Sequence, residues 1–77
     1  MLEEIKEIRK RHSRVVERHE STIRAHGRVC KIAARTRTPC GYHKCVLRGR
    51  KLVARSRRLR VEATRLYYLC KEKLRDH

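Results

Sequence analysis

The chain has 77 residues, and its 23 Lys and Arg residues against 8 Asp and Glu residues give it a formal net charge of +15. This length supports one domain, residues 1–77, with a thin core. No apolar run approaches the roughly 20 residues that span a bilayer, and the start MLEEIKEIRKRH has no apolar stretch of the signal-peptide kind. We therefore expect an intracellular protein of the cytoplasm or nucleus that is not bound to a membrane.

The first predicted element is a helix over residues 2–35. Apolar residues recur there at steps of three, four and seven, as on one face of a helix. They are Leu2, Ile5, Ile8, Val15, Val16, Ile23, Val29, Cys30 and Ala33. Gly27 is the weak point, because glycine in a helix interior costs about 1 kcal/mol relative to alanine. A kink or break near Gly27 gives the alternative of three helices instead of two.

A single sharp turn is predicted over residues 36–41, with the sequence TRTPCG. Pro39 disfavours the helical conformation at Thr38, and Gly41 permits a left-handed turn conformation.

The second predicted helix covers residues 41–75. The small residues Gly49, Ser56 and Ala63 repeat every seven positions on its apolar stripe, a spacing that lets two helices approach closely. The predicted fold class is therefore all-α, an antiparallel helical hairpin of two long helices. Because a lone hairpin covers only one side of each stripe, we expect self-association, as in a homodimeric coiled coil, or docking on a larger partner.

Charge is distributed unevenly along the chain. No Asp or Glu lies between Ser21 and Val61, whereas the window between them holds thirteen basic residues. In a hairpin the middle of the sequence becomes one end of the molecule, so one end should be strongly basic. A solvated basic face is the ordinary explanation of such a run, but a helix that is merely soluble normally mixes in acidic i,i+4 partners.

The window is rich in arginine, which binds phosphate through two parallel hydrogen bonds where lysine cannot. We therefore predict that its basic residues, apart from Arg60, bind the phosphate backbone of RNA or DNA. They are Arg24, Arg28, Lys31, Arg35, Arg37, Lys44, Arg48, Arg50, Lys51, Arg55, Arg57 and Arg58. Tyr42 is the one aromatic residue near the turn that could stack on a base.

The cysteines allow three interpretations. Cys30, Cys40, His43 and Cys45 could hold zinc, or Cys30 and Cys45 could form a disulfide between the helices. The third interpretation, in which the cysteines are free small apolar residues, requires no cofactor and is the one we adopt. Cys70 falls opposite Ile8 and is expected in the core.

Three histidines, His12, His19 and His26, repeat every seven residues beside the apolar stripe. They are either half-buried boundary residues or a pH-sensitive seam, since three imidazoles in a row gain charge together as the pH falls.

Function follows from the charge pattern. The leading hypothesis is a small non-enzymatic nucleic-acid-binding protein. The alternative is an interaction module or inhibitor, for example from a virus or mobile element, that docks on an acidic or nucleic-acid-binding surface of another protein. No catalytic residues are predicted, since the sequence has no Gly-rich phosphate loop, no paired carboxylates in the basic window and no Ser/His/Asp arrangement.

Overall fold

A computed structural model describes residues 2–76. Helix α1 spans Leu2–Arg35 and helix α2 spans Pro39–Arg75. They pack antiparallel as a rod of 58 × 14 × 12 Å, which confirms the all-α helical hairpin. Residues 1 and 77 of the expected domain lie outside the described part. We call the end at the interhelical turn the turn end, and the end near Leu2 and Arg75 the open end.

The connection between the helices is only Thr36–Thr38. The Thr38 hydroxyl caps α2 by accepting a hydrogen bond of 3.2 Å from the Gly41 N–H, and the Tyr42 N–H donates to the Thr38 carbonyl at 3.0 Å. Pro39 then takes the first helical position, where its missing N–H costs no intrahelical bond. Helix α2 therefore begins two residues before the expected start at Gly41.

Gly41 is helical, so the expectation of a left-handed turn residue is wrong: no residue between 2 and 76 has a positive φ. Its lack of a side chain serves another purpose. A Cβ at this position would lie 2.7 Å from both Thr36 Cγ2 and Thr38 Oγ1. Glycine is therefore needed because the two threonines of the turn pack against the first turn of α2.

Gly27 does not divide α1. The helix continues unbroken through it to Arg35, so the three-helix alternative is wrong. The glycine penalty of about 1 kcal/mol is small beside the packing of a helix this long against α2.

The seam between the helices follows a heptad on both sides. The buried residues of α1 are Ile5, Ile8, Val15, Thr22 and Val29. Those of α2 are Leu59 and Leu66, one heptad apart. Side chains of this kind at seven-residue spacing keep one face of each helix against the other, as in a coiled coil.

The histidine and small-residue repeats face each other across this seam. His19 Nε2 and Ser56 Oγ are hydrogen-bonded at 2.9 Å, and a Cβ at Gly49 would lie 3.8 Å from His26 Nε2. The same step of seven brings His12 to the level of Ala63. Small residues on α2 therefore make room for imidazoles on α1.

The apolar core is concentrated away from the turn. Ile8, Val15, Leu59 and Leu66 form one cluster, and Ala63 and Cys70 pack against it. Cys70 is thus in the core as expected. Nearer the turn the buried Thr22 donates its hydroxyl to the Arg18 carbonyl at 2.8 Å, and the seam there is smaller and more polar. The part of the rod near the turn is accordingly the less strongly packed part.

Many apolar side chains remain outside the seam, and within residues 2–76 no side chain is completely buried. Neither helix contains a segment long and apolar enough to cross a bilayer.

Candidate nucleic-acid interface

All thirteen basic residues of the window are exposed, as expected, and they include Arg60 as well as the twelve predicted site residues. They do not form one surface. Each residue along a helix is rotated by 100° from the one before it, so the spacing between two basic residues decides whether they lie on the same side. The structure divides them among three sides of the rod and the turn.

The largest group follows one side of α2. Lys44, Arg48, Lys51, Arg55 and Arg58 step by four, three, four and three, which keeps them in one stripe. They span fifteen residues, and the fourteen steps from the first to the last cover about 21 Å along the helix. Six phosphates of one DNA strand occupy about the same length, at roughly 3.4 Å each.

Helix α1 extends this stripe across the seam. His19 and Ser56 are hydrogen-bonded across the seam. Arg18 comes directly before His19, and Arg55 comes directly before Ser56. Because the helices are antiparallel, these two arginines lie on the same edge of the seam. Nearer the turn, Ile32 and Arg48 occupy equivalent heptad positions and line one shared groove. We call this surface the basic face. Its members are Arg11, Arg14, Arg18, Arg28, Arg35, Lys44, Arg48, Lys51, Arg55 and Arg58.

The predicted site did not include Arg11, Arg14 and Arg18, because it began after the acidic residues Glu17 and Glu20. Those two carboxylates are neighbours in sequence, but the heptad places them on other sides of α1. The sequence does indicate that Arg11 and Arg18 lie on the same side of α1 as Ile32, because the three residues share one heptad position. On α2 the basic face ends before Glu62, one heptad beyond Arg55, whereas on α1 it continues to Arg11.

The remaining predicted residues lie elsewhere. Arg24 and Lys31 are on the outer side of α1, one heptad apart, and Arg37 is in the turn. Arg50 and Arg57 are on the opposite edge of α2 from Arg48, where both line a groove with His26, Cys30 and Val53. A two-residue step turns the helix by about 200°, which separates Arg48 from Arg50.

The basic face has no internal neutralisation. Within residues 2–76 one ion pair is formed, between Lys73 Nζ and Glu4 Oε1 at 3.2 Å, and it lies at the open end. The basic side chains near the turn therefore repel one another and are free to meet an anionic ligand.

Tyr42 is exposed in the first turns of α2 and lines the same groove as Arg50. It lies at the turn end of the seam, one heptad before Gly49, and the groove that it lines is on the edge opposite the basic face. A base stacked on Tyr42 would therefore need a strand that passes around the turn end.

The cysteines are all free, and no Cys30–Cys45 disulfide is formed. In the part of the chain that the structure describes, no group of three or more His, Cys, Asp or Glu side chains is arranged to hold a metal ion. The zinc set of Cys30, Cys40, His43 and Cys45 is not brought together, because helix α2 already includes Cys40. Five residues of helix separate Cys40 from Cys45 by about 140° around the axis.

The histidines of the heptad repeat are half-buried, as one of the two interpretations expected. His26 also contacts Cys30, with Nε2 lying 3.8 Å from Sγ.

No protein-family model, curated protein sequence or solved structure matches this chain.

Proposed function

We propose that this chain is a small non-catalytic nucleic-acid-binding protein that holds phosphate backbone on its basic face. One observation carries the proposal: ten basic side chains from both helices are exposed along one side of the rod, and within residues 2–76 none of them is paired with a carboxylate. Such a surface attracts a polyanion and gains affinity by releasing its counterions.

The weak packing near the turn supports the same proposal. The seam there contains the polar Thr22 at the heptad position that Ile8 and Val15 occupy in the other half. Within residues 2–76 no ion pair offsets the positive charge around it. A bound polyanion removes that repulsion and binds only the folded hairpin, so it should raise the melting temperature.

The test is fluorescence anisotropy with labelled duplex DNA, duplex RNA and single strands of about 20 nucleotides, at 50 to 200 mM salt. Six to ten phosphate contacts predict an affinity loss of about 10³- to 10⁵-fold over this range. A flat salt profile for all ligands contradicts the proposal.

Affinity purification with and without nuclease treatment separates this function from docking on a protein. Nucleic acid recovered with the untreated protein, and lost after nuclease, is the expected result. A protein partner that remains after nuclease treatment, without nucleic acid, favours an interaction module instead.

A further inference from the structure

The edge of the rod opposite the basic face carries a groove between the two helices. Near the turn this groove has a volume of about 530 Å³ and extends from Tyr42 to Arg57. A smaller hollow of about 130 Å³ continues it past Ile23 and shares His26, Val53 and Arg57 with it. We call the two together the turn-half groove. From residue 42 to residue 57 it covers about 22 Å, the length of about four turns of helix.

The floor of the turn-half groove is apolar. Val29 is buried in the seam, and Ala33 and Val46 are half-buried beside it. Val53 and Ile23 remain 36% and 52% exposed in the hairpin. Apolar surface is therefore available for a partner to bury.

The charged side chains at the margin of this groove have one sign. Within residues 2–76 the ones that line it are Arg50 and Arg57, and neither is paired with a carboxylate. They are one heptad apart, so they lie on the same side of α2 at a spacing of about 10.5 Å. The groove is therefore complementary to a ligand that is apolar on one side and acidic along the margin of that side.

We propose that the turn-half groove binds an amphipathic helix of a partner protein, with its apolar face on the floor and its acidic residues against Arg50 and Arg57. An amphipathic helix laid in an apolar groove is a recurring form of protein recognition. Acidic residues seven positions apart on the partner match the spacing of the two arginines. The partner helix and the hairpin then form a local three-helix bundle.

Shape and charge disfavour other occupants. A second copy of this chain carries the same net charge of +15 and is repelled. Phosphate backbone has no apolar side to cover Ile23 and Val53, and it meets more basic side chains on the basic face. An anionic membrane is planar on this scale, whereas the groove is concave and fits a convex helix.

Gly27 is a further observation in favour of a third helix. It follows Ile23 by four residues and precedes Cys30 by three, so it lies beside both of these groove residues on the surface of α1. A Cβ at this position would meet nothing within 4 Å. The hairpin itself therefore has no packing need for glycine here, although glycine weakens a helix interior. Without a side chain at this position, a third helix can approach α1 closely.

The experiment measures the fluorescence anisotropy of a labelled synthetic peptide of about 18 residues, five turns of helix, mixed with the full-length protein. The peptide carries leucine along one helical face and glutamate on both sides of that face. A second peptide has the same composition in scrambled order. The amphipathic peptide should bind at least about tenfold more tightly, because it alone presents one apolar face to the groove. Equal affinities would mean a general attraction between opposite charges and would overturn the proposal.

The groove variant is Arg50→Gln with Arg57→Gln, and its matched control is Arg48→Gln with Arg55→Gln. Each pair is one heptad apart on α2 and removes the same charge from exposed positions, so the circular dichroism of both variants should stay that of the wild type. The groove variant should weaken peptide binding about tenfold, at up to about fivefold for each exposed ion pair. The control should weaken it by less than about threefold, because its arginines lie on the other edge. Equal losses overturn the proposal.

Binding of duplex DNA to the same two variants separates this proposal from the proposed function. The control should lower the slope of log affinity against log salt by about 2 units, and the groove variant by less than about 1 unit. DNA binding without peptide binding overturns the groove proposal alone. Sedimentation with vesicles of phosphatidylserine and phosphatidylcholine tests the membrane. Vesicle binding that the groove variant abolishes, in the absence of peptide binding, would assign this edge to a membrane surface and overturn the proposal.

Discussion

His19 and Ser56 are 37 positions apart in sequence and hydrogen-bonded across the seam, with Nε2 lying 2.9 Å from Oγ. This bond aligns the middle of α1 with the middle of α2. It also lies where the aliphatic core gives way to smaller and more polar seam residues. The pair therefore sets the register of the helices where apolar packing contributes least.

The first prediction concerns this bond. Ser56→Ala should cost about 1 kcal/mol of unfolding free energy relative to the control Ser21→Ala, because it leaves the half-buried imidazole without its partner. Both changes give the same gain in helix propensity, and Ser21 is exposed. Urea denaturation of the two variants measures the difference. Equal midpoints would show that the bond contributes nothing to stability.

The second prediction compares two glycines inside helices. Gly41→Ala forces both Thr36 and Thr38 to move, since the new Cβ lies 2.7 Å from a side-chain atom of each. Losing the Thr38 cap costs about 1 kcal/mol, which cancels the gain in helix propensity, and the displacement of Thr36 makes the net change destabilising. Gly27→Ala meets nothing within 4 Å and should stabilise the hairpin by up to about 1 kcal/mol. Thermal unfolding should therefore shift in opposite directions, and a stabilising Gly41→Ala would contradict the turn geometry.

A third prediction tests the core. Leu66 is 5% exposed, whereas Leu69 on the same helix is 36% exposed. Leu66→Ala should cost about 2–5 kcal/mol, enough to unfold so small a hairpin at room temperature. Leu69→Ala should cost less because more than a third of its side chain is already exposed and it lies outside the core cluster. Circular dichroism at 222 nm reports both, and similar losses of helix would indicate a different seam.

The fourth prediction concerns the basic face. Replacing Arg48, Lys51, Arg55 and Arg58 with glutamine should lower the slope of log affinity against log salt by about 3 to 4 units on duplex DNA, at roughly 0.9 per phosphate contact. Binding at 150 mM salt should then be lost.

The matched control replaces Lys6, Arg9, Lys10 and Lys71, which removes the same charge without breaking the Glu4–Lys73 ion pair. None of these four residues lies on the basic face, so the slope should change by less than about 1 unit. Equal effects from the two sets would mean that binding depends on net charge alone.

Much of the fold could be predicted from local sequence. The heptad recurrence of apolar residues in residues 2–35 and 41–75 gave both helices, because burial selects one face of each. Exposure of the basic residues was also predictable, since they alternate with the apolar stripe. Local rules failed at Gly41, where the Thr38 cap and Pro39 start the helix early and override glycine's preference for turns.

The relation between the helices could not be read from either helix alone. The repeats of His12, His19 and His26 and of Gly49, Ser56 and Ala63 are both visible in the sequence. Their opposition depends on the length of the turn, and the expected turn was three residues too long. The same missing register hid Arg18 from the predicted site, because its neighbour Arg55 lies on the other helix.

The three-residue turn fixes the register of the two helices, and the seam between them repeats every seven residues. The length of the rod can therefore change by whole repeats. Removing one heptad from each helix at the same level would shorten the molecule by about 10.5 Å and leave every remaining pair in register. Removing two or five residues from each helix would instead rotate the part beyond the deletion by about 160° or 140° and turn its seam residues outward. Variants of this hairpin that differ by paired heptads should therefore fold, and the spacing between their two ends should change in discrete steps.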